Sequence, residues 1–283
     1  MGARVTITAR QARLGLELRR LREAAGMSVR EAARGLGINE TKISHVEAGR
    51  SGVGAERLRA MAAHYACLDD TYVDALVEMT GERPRRWWES YRGTLGQPAL
   101  DLAELEHDAR ALRTLQVNYI PGLLQTESYT RAVFSYGVPE PTPKLLDTVV
   151  SFRLRRQKVL DDEPAPPFDA VIHEAALRIL VGDRAVARHQ LDHLLGQSER
   201  PNVTVRVIPF AAENFAGSGH SMLHAVGWVP RLDTIEVGGL PGATWLDAEA
   251  QLAKYRALLN KAADVALPAA ASRDLIRDVA RDL

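Results

Sequence analysis

The sequence predicts a mainly α N-terminal domain of five short helices, followed by an α+β domain with an antiparallel or mixed sheet. Three observations carry that prediction. Residues 11–80 place apolar residues at helical spacing between capping residues and glycines. From about residue 114, five short stretches rich in β-branched residues alternate with longer helical patterns. The charge divides along the same line: residues 1–66 hold twelve Lys or Arg against six Asp or Glu, and residues 67–283 hold twenty-four against thirty. A formal net charge of zero therefore hides a basic end, which is a hint of a nucleic-acid partner. At 283 residues and 46% hydrophobic content the chain can fill one large core or two modest ones.

Taken in order, the first helix carries Leu14, Leu16, Leu18 and Leu21 among arginines and ends at Gly26. Ser28 opens "SVRE", a capping box in which Ser28 accepts from the Glu31 amide and Glu31 reaches back. Ala32, Ala33 and Leu36 give the second helix its buried face, and Gly37 suits a left-handed residue after its last turn. Asn39 is a good N-cap for a third helix, and Gly49 a good terminator. A fourth helix covers about 54–66, with Leu58, Met61 and Ala62 inward, and a fifth covers about 71–79.

"TGERPRRWWESYRG" (80–93) breaks this pattern at Gly81 and Pro84. The expected organisation is a first domain over 1–80, a linker over 81–100 and a second domain over 101–283. The second domain should hold a helix at 101–113 and strands at 114–120, 168–174, 203–209, 221–227 and 233–237. Helical patterns lie at about 122–136, 142–160, 184–196, 247–264 and 271–282, and the acidic, Pro-rich 161–167 reads as a loop.

Cys67 is the only cysteine, so no intramolecular disulfide can form, and its place after an apolar run suits a bystander. No apolar stretch approaches the roughly 20 residues needed to span a bilayer, and the opening residues lack a signal-peptide core. A cytoplasmic protein with no membrane partner is expected.

The stretch "GINETKISHVEAG" (37–49) raises the sharpest question of function. At 100° per residue, Glu40, Thr41, Ser44 and His45 fall in one arc of about 140°, while Ile43 and Val46 point the other way. Two helices joined by a tight Gly-containing turn form the helix-turn-helix arrangement, whose second helix enters the major groove. There Glu40, Thr41 and His45 are the candidates for base edges: Glu40 can accept from a cytosine amino group, Thr41 can touch a thymine methyl or hydrogen-bond, and His45 can donate to a purine acceptor. Ser28, Arg30, Asn39, Lys42, Ser44 and Arg50 are the candidates for phosphates.

"LRRLREAAGMSVREAARGLGINETKISHVEAGR", with "LRAMAAHY" after it, resembles the Xre family of phage-repressor-like helix-turn-helix regulators over about residues 11–66. The resemblance implies that Arg22 pairs with Glu47 as a structural lock. Val29 departs from the family pattern, because many members carry a phosphate-binding Gln there. That contact is lost or passes to Arg30 or the Ser28 hydroxyl.

"RRWWESYRG", "LAELEHDARALRTLQVNYIPGLLQTESYTRAVF", "AALRILVG" and "RPNVTVRVIPF" resemble the C-terminal domain, of unknown function, in a large actinobacterial set of Xre-type regulators. Many carriers are called antitoxin-like because they are encoded beside a small partner protein. The resemblance implies a regulator whose second domain senses a ligand, dimerises or binds a partner. Double-stranded DNA and a second copy of the chain are the expected partners, with a small-molecule effector or a small partner protein as candidates. The alternative is an antitoxin-like protein whose main role is binding that partner, with DNA binding for autoregulation.

Catalysis is not expected. His189 and His193 stand at i and i+4, but "HQLDH" lacks the zinc-protease Glu and no third ligand is in view. His173 beside Glu174 reads as a structural pair or helix cap, and "GSGHSMLH" as a loop entering a strand. Neither a cofactor nor a metal is expected. Trp87, Trp88, Tyr119, Gln125, Phe210, Asn214 and Phe215 are candidates for a ligand pocket or for packing between domains.

Overall fold

Four of the five helices described before residue 80 start where a short polar side chain satisfies free amides of the first turn, and the fourth in order starts after Gly54 without such a cap. In the computed structural model these helices are α1 (Ala9–Ala24), α2 (Val29–Leu36), α3 (Glu40–Glu47), α4 (Ala55–His64) and α5 (Asp70–Glu78). Thr8 and Gln11 form a capping box on α1, and Ser28 and Glu31 form one on α2. Asn39 Oδ1 accepts from Lys42 N–H at 2.7 Å, and Asp69 from Tyr72 N–H at 2.9 Å. The structure describes residues 7–80, 86–215, 221–238 and 243–283.

The chain divides into two compact units, Met1–Leu105 and Glu106–Leu283. In the first, Leu18, Ala32, Ile43, Leu58 and Leu76 are sealed from solvent. Glu17, also sealed, accepts from Arg13 Nε at 2.8 Å and from the Tyr72 hydroxyl at 2.6 Å, so one carboxylate joins α1 to α5. The stretch expected as a linker contributes the 3-10 turn Trp87–Tyr91 and the start of α6 (Gln97–Asp108). Asp101 accepts from Ala9 N–H at 3.1 Å and Glu104 from Arg10 Nε at 2.8 Å, which ties α6 to the start of α1.

The second unit holds a six-stranded sheet in the order β3-β2-β1-β4-β5-β6. The strands are β1 (Ala111–Gln116), β2 (Phe168–His173), β3 (Val203–Ile208), β4 (Met222–Val226), β5 (Thr234–Val237) and β6 (Thr244–Leu246). β1, β2 and β3 pair in parallel, and β1, β4, β5 and β6 pair antiparallel, so the sheet is mixed. The helices are α7 (Glu127–Ser135), α8 (Pro143–Gln157), α9 (Glu174–Arg178), α10 (Arg184–Gln197), α11 (Glu249–Val265) and α12 (Ala269–Asp282). Leu259 and Ala262 of α11 pack on Leu115, Val171, Ile208 and Met222 of one sheet face.

The clearest differences from expectation lie in three elements. The helix expected over 101–113 ends at Asp108, and the strand expected over 114–120 lies at 111–116. Partners set the strand's ends: Leu112–Gln116 lie against Phe168–Ile172, and Ala111–Leu115 against Met222–Val226. The helix expected over 122–136 begins as a 3-10 turn, Gly122–Leu124, and restarts at Glu127 under a Thr126 cap.

Candidate nucleic-acid interface

Ile43 and Val46 anchor α3 in the helical core, at 0% and 3% exposure. Glu40, Thr41, Ser44 and His45 are exposed, and Lys42 is half-buried. The arc read from the sequence is thus a solvent-facing polar surface on a helix whose back is sealed. Gly37, with φ of 65°, turns the chain between α2 and α3 in a conformation that a side chain would strain.

Two contacts hold α3 at a fixed height on α1. Arg22 donates to Glu47 through Nε at 2.6 Å and Nη2 at 2.9 Å, and through Nη1 to the Met27 carbonyl at 2.7 Å. The Glu47 hydrogen bond holds the Arg22 pKa above its ordinary value. Tyr65 lies beside the pair, its hydroxyl pushed up to about 12 by burial and by the Glu47 charge. The second contact was missed by sequence reasoning. A Cβ on Gly15 of α1 would lie 2.6 Å from the carbonyl oxygens of both Val46 and Glu47, so the two backbones touch there. The available signal was a glycine inside the helical run "ARLGLEL".

The candidate phosphate ligands differ in what they have left to offer. The Ser28 hydroxyl donates to Glu31 at 2.7 Å while accepting from its amide at 3.2 Å, so its proton is already used. Arg30, exposed in the first turn of α2, carries the free donors at that end. Asn39 spends its carbonyl on the cap and keeps its amide N–H donors, and Arg50 is exposed just past α3.

Residues 13–76, which take in α2, α3 and α4 and most of α1 and α5, match a family described as a helix-turn-helix domain. Residues 99–278, more than half of the chain, match the family described as "Domain of unknown function (DUF5753)". The chain belongs to the DUF5753 family. The helix-turn-helix match points to a DNA-binding regulator. No curated protein and no solved structure matches the chain. No helix among the described residues is long and apolar enough to cross a membrane.

The candidate pocket residues do not form one group. Trp87 and Trp88 lie ahead of the DUF5753 match, edge to face at 5.6 Å, with Trp88 buried. Inside the DUF5753 domain, Phe210 and Phe215 flank His173, each with its ring centre 5.3 Å away. His173 Nδ1 accepts from Ala175 N–H at 3.2 Å and caps α9, and burial lowers its pKa. Asn214 is exposed, with φ of 62°. Tyr119 is 43% exposed. Gln125 is buried instead among α7 and α8, donating to the Ile120 carbonyl at 2.8 Å. His189 is exposed and His193 half-buried, with its pKa lowered by burial and by the His189 charge. Of "GSGHSMLH", residues 217–220 lie outside the described residues, and the rest enters β4.

Proposed function

We propose that the chain is a cytoplasmic, sequence-specific transcriptional regulator of Xre type, and that it binds near-palindromic operators as a homodimer. One observation carries the reading: the exposed arc of Glu40, Thr41, Ser44 and His45 on a helix clamped from behind by Gly15, Arg22 and Ile43. Rigid presentation of short polar side chains is what direct readout of base edges needs. Thr41, His45 and Glu40 read bases, while Arg30, Asn39, Lys42, Ser44 and Arg50 hold the phosphates. The basic balance of residues 1–66 supports the phosphate part. One small helical unit discriminates poorly by itself, so two copies would read half-sites about one helical turn apart.

The DUF5753 domain is the sensor, taking a small-molecule effector or a small protein partner. No catalytic step and no cofactor are assigned to it. Selection of bound sequences from a random duplex pool tests the reading. A recovered motif with two-fold symmetry is expected; a purified full chain that ignores duplex DNA at low salt would sink it. A stoichiometric small protein recovered with the chain would favour the antitoxin-like role.

A further inference from the structure

Two arginines one turn apart on α8 have opposite surroundings. Arg156 donates to Glu106 through Nε at 2.7 Å and Nη2 at 2.5 Å, a closed bidentate pair. Arg153, half-buried, has no carboxylate within 4 Å among the described residues. Its one hydrogen bond among the described residues is from Nη1 to Gln125 Oε1, at 3.2 Å. A guanidinium has five N–H donors, and buried charges are ordinarily paired.

The surroundings of Arg153 are nevertheless built. An added Cβ on Gly122 would run into Nη1 and lie 3.1 Å from Cζ, so the glycine makes room for the guanidinium plane. Gln157 donates to the carbonyls of Gly122 at 3.1 Å and Gln125 at 2.7 Å, fixing the loop that forms this bed. The Phe134 ring lies under the cation at 5.0 Å. Glu236 on β5 is in electrostatic reach of both arginines but makes no ion pair with either. Burial lowers the Arg153 pKa to about 9, which leaves it charged at neutral pH. Its neighbour Glu236 is raised, again by burial.

We infer that Arg153 anchors a small-molecule site in the DUF5753 domain, and that the ligand presents an oxyanion, a carboxylate or a phosphate, to its open N–H donors. The inference rests on the reading of this domain as the sensor. A cation held in place but left unpaired costs stability in the empty protein, and an incoming anion recovers it.

The test is thermal unfolding of the full chain and of Arg153→Met in sodium phosphate, sodium acetate and sodium chloride at matched ionic strength. With phosphate or acetate at about four times its Kd, the wild-type midpoint should rise by about 2–4 °C over chloride. Arg153→Met should show no such extra rise, and in chloride it should melt no lower than wild type. A rise in acetate alone identifies a carboxylate ligand, and one in phosphate alone a phosphoryl ligand. Equal wild-type midpoints in all three salts, or an Arg153→Met chain that unfolds, would overturn the inference and make Arg153 a structural cation. Operator binding by the wild-type chain is scored separately. Its loss would count against the regulator reading and leave the anion result standing.

Discussion

Arg22 in the helical unit and Arg153 in the DUF5753 domain are both drawn in from solvent, yet they are finished differently. Arg22 is closed by both oxygens of Glu47 and by a carbonyl, while Arg153 is closed by one amide oxygen. Glu17 and Glu106 are finished like Arg22, each buried and bonded to arginine. The contrast separates frame from receptor: a fully bonded buried charge holds elements in register, and a partly bonded one keeps donors for something else.

The sharpest way to break that comparison is to make the first arginine resemble the second. Glu47→Ala leaves Arg22 buried without its carboxylate, and should destabilise the helical unit by about 3–5 kcal/mol. Faster hydrogen exchange at the α1 and α3 amides would register it, and wild-type protection would mean that the pair is not the lock. Next in size is Gly15→Ala. In most helices this change gains about 0.5–1 kcal/mol. Here the added Cβ meets two carbonyl oxygens, so a loss of about 1–3 kcal/mol is expected in the same exchange measurement.

Changes on the reading face should spare stability altogether. Thr41→Ala and His45→Ala should each relax discrimination at individual base pairs by about 1–3 kcal/mol, measured by competition against single-base operator variants. The smallest effect belongs to Arg50→Ala, which should weaken all sequences alike and lower the salt slope by about one. If the three variants behaved alike, the split between base and phosphate ligands would fail.

The helical unit was readable because its signals are local. Ser28 meets Glu31, and Asn39 meets Lys42, each across three residues. Gly15 is not legible in this way, because its reason lies some thirty residues away in the carbonyls of α3. The mixed sheet was legible in kind but not in register. The ends of β1 are decided by β2 and β4, and β6 is three residues long with no pattern of its own. Arg153 stayed hidden in an ordinary "RLRR" run, since Gly122, Gln125 and Phe134 reach it only through the packing of α7 and α8.

Along α3 the two duties fall on different residues, with half-buried Lys42 between them. Ile43, Val46 and Glu47 face inward to the other helices, and the side chains at 40, 41, 44 and 45 face water. The outward four behave as replaceable type set in a fixed press. A descendant of this gene could adopt a new target site through a handful of substitutions, without renegotiating how the domain folds.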